Sequence, residues 1–324
     1  MNITQEELLI NEYKQRLTNN SVPVIYNLRH LRMILQISKA DQDYYFGKYR
    51  GEQYHRFEIR KKSGGTRYID APCEDLKIRQ RWIKENIIDK IPVSMKAKGF
   101  RKKLSIYDNA VLHINQELVV TIDIQDFFPS VRYKDVYRIF YYMGYNYQVS
   151  HLLTKMCTNQ YNVLPQGAPT SPGISNIILL KLDKRLGRLA DTYNCNYSRY
   201  ADDITFSGKK SIINLIPTAI TIIKDEGFRI NEKKTRFLYS NQRQIVTGLV
   251  VNDKVSIPKK LIKELENAIY YCKKYGVLEH MRKINCQKAF YKEHLYGIAY
   301  YVKMIDEKKG VRYLKGLDEI EWLY

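Results

Sequence analysis

The sequence lacks the features that mark membrane and secreted proteins. No run of apolar residues approaches the roughly 18 that cross a bilayer, and the first residues show no basic-then-apolar signal pattern. The five cysteines form no CxxC pair, and the two closest are 14 residues apart. These patterns argue against a membrane segment, a disulfide framework and a structural zinc site. We therefore expect a cytoplasmic protein with reduced thiols.

Internal repeats, low-complexity tracts and Pro/Gly/Ser-rich linkers are also missing from the 324 residues. We expect subdomains that share one compact body. The elements that the pattern predicts, in chain order, are helices over 1–47, a β-hairpin over 54–71, a helix over 74–91, a buried strand ending at Asp123, a helix over 169–190, a strand-turn-strand unit over 197–208, and helices from 258 onward. Because helices and strands do not alternate strictly, the order favours the α+β class.

Positive charge is present in excess. The chain has 54 Lys and Arg residues against 34 Asp and Glu, a net charge of +20. Half of this excess, from 17 basic and 7 acidic residues, lies between positions 48 and 103. Such a balance indicates a polyanionic partner, of which nucleic acid is the usual one. The 28 tyrosines are a weaker indication, because tyrosine more often serves in packing than in base stacking.

Three aspartates are the main candidates for chemistry. Asp123 ends the predicted buried strand, and Asp202 and Asp203 stand side by side in "YADDITFSG". Asp is common in hairpin turns, so a purely structural role is the alternative. If the two strands lie side by side, the three carboxylates repel one another unless a cation lies among them. Oxygen ligands without nearby His or Cys suit Mg²⁺ or Mn²⁺. Two such ions can catalyse an in-line displacement at phosphorus.

Six motifs in order resemble those of reverse transcriptases and overturn the structural alternative. They are the fingers hairpin "RKKSGGTRYIDAP" (60–72), the first aspartate motif "DIQDFFPS" (123–130), the Pro-Gln-Gly box "LPQGAPTSP" (164–172), the Tyr-x-Asp-Asp box "YADD" (200–203), "EGFRINEKKT" (226–235) and the primer-gripping hairpin "VTGLVV" (246–251). The resemblance implies a right-hand polymerase fold within the α+β class. It divides the chain into an N-terminal helical segment (1–47), fingers (48–116), a palm of antiparallel sheet plus helices (117–251) and a helical thumb (252–324).

One further motif narrows the resemblance to retron reverse transcriptases. Asn109, Ala110 and His113 in "DNAVLHI" match the Asn-Ala-x-x-His hallmark of that family. The resemblance implies that a structured non-coding RNA acts as primer and template, and that DNA synthesis starts from the 2′-OH of an internal guanosine. It also implies a branched, multicopy single-stranded DNA product and a role in anti-phage defence with a separate effector protein. For His113, an RNA contact and a buried structural role both remain open.

The resemblance also suggests roles for individual residues. Asp123, Asp202 and Asp203 would hold the metal ions, and Ile124 would add a backbone carbonyl. The other candidates are Lys62 and Arg67 for the triphosphate of the incoming dNTP, Phe128 as a gate against ribonucleotides, Gln166 beside the nucleotide, and Val246, Thr247 and Gly248 for the primer end. Because Phe127 is adjacent to Phe128, only one of the two rings can face the site.

Two alternatives remain open from the sequence. The first is another bacterial reverse transcriptase, of the group II intron or abortive-infection type. An intron enzyme usually continues beyond its thumb, whereas about 66 residues follow Pro258 here. The second is a catalytically silent polymerase fold that serves as an RNA-binding scaffold. Loss of an aspartate would be its signature, and all three aspartates are present.

Overall fold

A four-stranded sheet and two β-hairpins are surrounded by helices in the computed structural model, which describes residues 4–60 and 64–322. The elements before the central sheet are α1 (Gln5–Asn19), α2 (Leu28–Leu35), α3 (Gln42–Phe46), β1 (Tyr54–Arg60), β2 (Thr66–Pro72), α4 (Glu74–Asn86) and α5 (Ile106–Ala110), with short 3-10 helices at Lys48–Gln53, Ile88–Lys90 and Val111–His113. Helix α1 begins at a capping box, in which Thr4 and Glu7 satisfy each other's backbone N–H groups. Strands β1 and β2 pair from Tyr54 opposite Pro72 to Arg60 opposite Thr66, so the predicted hairpin is present.

The central sheet and the elements around it occupy the middle of the chain. They are β3 (Leu118–Asp123), α6 (Phe127–Ser130), α7 (Tyr133–Tyr142), α8 (Tyr147–Cys157), α9 (Ser171–Ile178), α10 (Leu180–Thr192), β4 (Asn196–Tyr200), β5 (Asp203–Gly208), α11 (Ile216–Asp225) and β6 (Arg236–Tyr239), with 3-10 helices at Lys210–Leu215 and Glu232–Lys234. The strand order is β4-β5-β3-β6, and all neighbours are antiparallel. Strand β3 is central and almost wholly buried, as its apolar sequence predicts.

The C-terminal part is a hairpin followed by helices. Its elements are β7 (Ile245–Val246), β8 (Leu249–Val250), α12 (Lys259–Tyr275), α13 (Val277–Lys283), α14 (Tyr291–Ile305) and α15 (Glu307–Asp318). The described helices include none with the length and apolarity that a bilayer crossing requires. The predicted α+β class with an antiparallel sheet is confirmed.

The apolar interior forms two clusters. The larger runs from Leu17 to Phe228 and joins the N-terminal helices to the central sheet. The smaller joins the C-terminal helices to Val246 and Leu249 of the β7–β8 hairpin, and it includes Val119 of β3. The hairpin therefore packs with the helices that follow it. The boundaries assigned above to fingers, palm and thumb remain predictions.

One predicted element is divided in the structure. The helix expected over 169–190 is broken at Leu179, which ends α9 and begins α10 with φ −82° and ψ 2°. Neither Gly nor Pro stands at the break, so the local pattern carries no signal for it. Both halves keep their apolar faces against the larger cluster, which the continuous pattern did predict.

Candidate active site

Strand register brings two of the predicted aspartates opposite each other. Asp123, the last residue of β3, pairs with Asp203, the first residue of β5. Asp202 precedes Asp203 in the two-residue turn that joins β4 to β5. The Ile124 N–H donates a hydrogen bond of 3.0 Å to the Asp202 carbonyl, which ties the turn to the end of β3. Asp123 and the adjacent pair Asp202 and Asp203 are thus gathered at one end of the sheet.

The turn depends on two buried supports. Ala201 has φ +57°, a left-handed conformation that is unusual for a residue with a Cβ. A Cβ added to Gly99 would lie 2.7 Å from the Ala201 nitrogen, so only glycine allows this close approach of the 96–99 segment. From the other side, the Arg199 guanidinium donates 3.0 Å to the Ala201 carbonyl. The backbone beside Asp202 is therefore held by packing and by a buried charge.

A lysine from another part of the chain meets the aspartates. Lys234 Nζ lies 3.0 Å and 2.9 Å from the two carboxylate oxygens of Asp123. Its loop is pinned beside β3, because the Asn231 N–H donates 2.8 Å to the Asp123 carbonyl. The described His, Cys, Asp and Glu side chains include no group of three or more already arranged to hold a metal ion. In this conformation the Lys234 ammonium supplies the positive charge at Asp123.

The remaining two carboxylates sit in an environment that opposes their ionisation. Burial, followed by the Asp123 charge, raises the pKa of Asp202. Asp203 keeps solvent access on one side, yet loss of hydration and the charges of Asp202 and Asp123 raise its pKa to about 6. The nearby cations Lys234, Arg67 and Arg236 only partly offset these effects. Additional positive charge at this end of the sheet would relieve the repulsion.

A cleft of about 480 Å³ opens over the aspartates. It is lined by Arg67, Ile106, Thr121, Asp123, Tyr200, Asp202, Asp203, Thr205, Lys234, Arg236, Ile245, Thr247 and Gly248. The cleft thus joins the fingers hairpin, the sheet end and the β7–β8 turn. Thr247 and Gly248 form that turn with φ +47° and +83°, the signs that tight hairpins require. A second cleft, of about 600 Å³, lies beside α7 and is lined by none of the predicted site residues.

Other predicted site residues lie outside the cleft lining. Lys62 falls outside the described residues. Phe127 is buried in the core, whereas Phe128 is half-buried and its ring centroid lies 6.2 Å from that of Phe100, so Phe128 is the more accessible ring. The Gln166 carbonyl accepts a bond of 3.0 Å from the Asp70 N–H of β2. Val246 is buried beneath the β7–β8 turn.

Sequence reasoning missed two cations of this cleft. Lys234 lies within "EGFRINEKKT", and Arg236 follows it on β6 opposite Thr121. The motif itself was noted, but the local pattern does not tell which of its basic side chains turns toward the aspartates. The direction of Lys234 is set by the pairing of its loop with the end of β3, a contact between distant segments that leaves no signal in the local sequence.

The comparisons with known proteins agree with this geometry. Residues 59–314 match the family described as reverse transcriptase (RNA-dependent DNA polymerase). The retron Ec86 reverse transcriptase of Escherichia coli is 34% identical over 95% of this chain and 94% of its own length. The retron Mx162 reverse transcriptase of Myxococcus xanthus is 35% identical over 83% of this chain, which spans only 61% of that relative. A solved apo telomerase from Candida tropicalis overlaps with 64% of this chain and 55% of its own at 11% identity, with a TM-score of 0.43, a resemblance too weak to add to the assignment.

The chain belongs to the retron reverse transcriptases. It is an RNA-directed DNA polymerase, and the right-hand polymerase fold predicted from its motifs is confirmed. Reverse transcriptases generally use divalent metal ions. Asp123, Asp202 and Asp203 fit such ions, because they offer hard oxygen donors. The pKa values of Asp202 and Asp203 are raised, so added positive charge would favour their ionised forms.

The hallmark motif of this reverse transcriptase points inward. His113 Nδ1 lies 2.7 Å from Ser207 Oγ on β5, and His113 Nε2 lies 2.7 Å from Ser198 Oγ on β4. Ser198 in turn donates 2.7 Å to Asn109 Oδ1. Asn109, Ala110 and His113 are fully buried, and the Asn109 and His113 side chains bind the two strands that flank the Ala201–Asp202 turn. An RNA contact through them remains a prediction and would require their exposure.

The buried imidazole should leave a pH signature in stability. Burial lowers the pKa of His113 from 6.5 to about 3. Between these values the unfolded chain binds one more proton than the folded one, so stability falls as pH decreases, by about 1.4 kcal/mol per unit. Both proteins should have a lower free energy of unfolding at pH 5 than at pH 7. In His113→Gln we expect this decrease to be about 2 kcal/mol smaller than in the parent protein. Urea unfolding at both pH values measures this, and His55→Gln, at an exposed histidine, should keep the parental difference.

Proposed function

We propose that this reverse transcriptase uses a structured non-coding RNA as both primer and template and synthesises a short, branched, multicopy single-stranded DNA. The observation that supports the proposal is one cleft that gathers Asp123, Asp202 and Asp203 with Arg67 and the Thr247–Gly248 turn. The near full-length similarity to a retron enzyme supports the retron form of the reaction. The complex of this enzyme with its RNA and DNA acts in the bacterial cytoplasm, in anti-phage defence, with a separate effector protein.

The reaction is nucleotidyl transfer. The oxygen of an RNA 2′-OH or a DNA 3′-OH bonds to the α-phosphorus of a dNTP and releases its proton to water. The bond from that phosphorus to the bridging oxygen breaks, and pyrophosphate leaves with the electron pair. Positioning and charge neutralisation carry most of this chemistry. The fingers contribute Arg67, whose charge already acts on Asp202, to the triphosphate. The Thr247–Gly248 turn holds the primer end, and Phe128 and Gln166 border the nucleotide.

Two Mg²⁺ ions, or Mn²⁺ in their place, would be held by Asp123, Asp202 and Asp203 with the Ile124 carbonyl. They would supply Lewis-acid stabilisation of the attacking hydroxyl and of the leaving pyrophosphate. The chain's own part is to bring the three carboxylates together through the β3–β5 register and the Ala201–Asp202 turn. Lys234, which bonds both Asp123 oxygens, would have to move if Asp123 held a metal ion.

The proposal is tested by the nucleic acid that the protein carries. The chain is expressed in bacteria together with its native flanking DNA, and the nucleic acid that copurifies is treated with RNase and with a debranching enzyme. The expected result is a short discrete DNA whose mobility changes after debranching. Heterogeneous RNA alone, with primer extension by the purified protein intact, would contradict the retron product while leaving the polymerase activity in place.

A further inference from the structure

A row of aromatic rings lies on the surface of α7 and α8, away from the catalytic cleft. Tyr133, Tyr137 and Tyr141 stack along α7, with ring centroids 6.3 Å and 5.8 Å apart and ring planes within 20° of parallel. On α8, Tyr147 stacks on His151 at 6.3 Å and 11°. These five residues are called the tyrosine platform below.

The two columns form one connected surface. Tyr137 meets Tyr147 edge to face at 6.0 Å, and Tyr133 meets His151 in the same way at 5.7 Å. Tyr141 is 52% exposed and Tyr147 is 72% exposed, so apolar ring area faces solvent on both helices. Exposed aromatic rings are the usual stacking surface for unpaired bases.

Exposed cations lie beside the tyrosine platform. Lys134 and Arg138 each follow a platform tyrosine by one residue, about 100° around the helix axis, and both are exposed. Burial lowers the pKa of His151, and the charges of Lys155 and Arg50 lower it further. Lys155 and Arg50 themselves donate to the carbonyls of Phe46 and Asn159. Lys134 and Arg138 also line the cleft beside α7, whose lining includes the acidic residues Asp126, Asp135, Asp225 and Glu226. Cations beside exposed rings suit a strand of phosphates and bases.

The tyrosine platform is connected to the fingers hairpin that borders the catalytic cleft. The Tyr133 N–H donates 2.8 Å to the Asn162 carbonyl, and the Arg50 guanidinium donates 2.9 Å to Asn162 Oδ1. The same guanidinium reaches the Asn159 carbonyl, and the Asn159 amide donates 2.7 Å to Asp70 of β2. Arg67 lies three residues before Asp70 on that strand, and it lines the catalytic cleft.

We propose that the tyrosine platform binds the single-stranded RNA template before it is copied, by stacking unpaired bases on its rings. The inference rests on the proposed function, since a polymerase that copies RNA must guide an unpaired template toward its cleft. The partner is a single strand because duplex bases are already stacked on one another and leave their faces covered.

The test compares binding of unpaired RNA among matched variants. The probe is a fluorescein-labelled single-stranded RNA of about 12 nucleotides, within the usual site sizes for such proteins. Fluorescence anisotropy should show about 10-fold or greater loss of affinity for the variant Tyr141→Ala/Tyr147→Ala. Tyr141→Phe/Tyr147→Phe keeps the rings and should bind as the parent does. Tyr193→Ala, at an exposed tyrosine after α10, controls for loss of any surface ring.

Primer extension then separates this inference from the polymerase function. Two RNA templates are annealed to the same DNA primer, one with a single unpaired nucleotide and one with an unpaired stretch of about 12. In the parent protein the longer template should have the lower KM, and the double alanine variant should lose that advantage without a change on the short template.

An equal effect on both templates, or unchanged RNA binding, would overturn the proposal. The proposal would also be overturned if the double alanine variant bound RNA normally but lost a protein that copurifies with the parent. The tyrosine platform would then be a protein-docking surface. Absence of extension in the parent protein would instead contradict the polymerase function, and anisotropy would still test the platform.

Discussion

Replacing Asp203 by Asn is expected to reduce primer extension by about 1,000-fold or more while the protein stays folded. Asparagine keeps the shape of the side chain but removes the charge that a bound cation needs, and a loss of this size corresponds to about 4 kcal/mol in the activation barrier. Stability should not decrease, because burial and the charges of Asp202 and Asp123 already oppose ionisation of Asp203. Steady-state extension of a DNA-primed RNA template and thermal unfolding of the same preparation measure the two effects.

Asp126→Asn is the matched control for this substitution. Asp126 lies three residues after Asp123, is exposed, and has φ +45°, a conformation that asparagine tolerates well. Its side chain lines the cleft beside α7 and not the catalytic one. The control should retain extension within a few-fold of the parent protein. If Asp203→Asn retained full extension, the assignment of Asp203 as a metal ligand would be wrong.

The parts of this site that the sequence predicts are those that depend on local sequence patterns. The apolar run of β3 predicts a buried central strand ending at Asp123, and the turn around Asp202 predicts a hairpin tip. The pairing of Asp123 with Asp203 then follows from placing the two strands side by side. The fingers hairpin was predictable for the same reason, since alternation and the Ser-Gly-Gly turn are local signals.

The parts that the sequence did not predict depend on contacts between distant side chains. The position of Lys234 is set by the pairing of its loop with β3, which no spacing within its own motif reveals. The inward direction of His113 is set by Ser198 and Ser207, 85 and 94 residues away. A buried ion pair beneath the catalytic turn was missed as well, because Arg199 and Asp183 look like ordinary charged residues in sequence.

That ion pair has an unusually complete set of contacts. Arg199 and Asp183 are both fully buried, and two guanidinium nitrogens donate 2.8 Å each to the two carboxylate oxygens. The third nitrogen donates to Asn176 at 3.1 Å and to the Ala201 carbonyl at 3.0 Å. One side chain therefore balances a buried charge on α10 and holds the backbone next to Asp202. A single substitution at Arg199 should affect stability and catalysis together.

Arg199→Met is expected to lower the free energy of unfolding by about 3–5 kcal/mol, because it leaves Asp183 buried without a partner charge. It should also lower primer extension by about 10-fold or more, since the Ala201 carbonyl loses its donor beside Asp202. Adding Asp183→Asn removes the unpaired charge, and the amide oxygen that this substitution introduces can still accept from the Tyr197 hydroxyl, which bonds Asp183 in the parent protein.

The double variant distinguishes the two roles of Arg199. Its unfolding free energy in urea should recover much of the loss, because a neutral pair no longer carries the cost of a buried charge. Its kcat should stay low, since methionine cannot donate to the Ala201 carbonyl, while its KM for the primer–template should match that of the parent protein. Recovery of both stability and kcat would show instead that charge balance with Asp183 is the whole contribution of Arg199, and that the turn keeps its geometry without the hydrogen bond to Ala201.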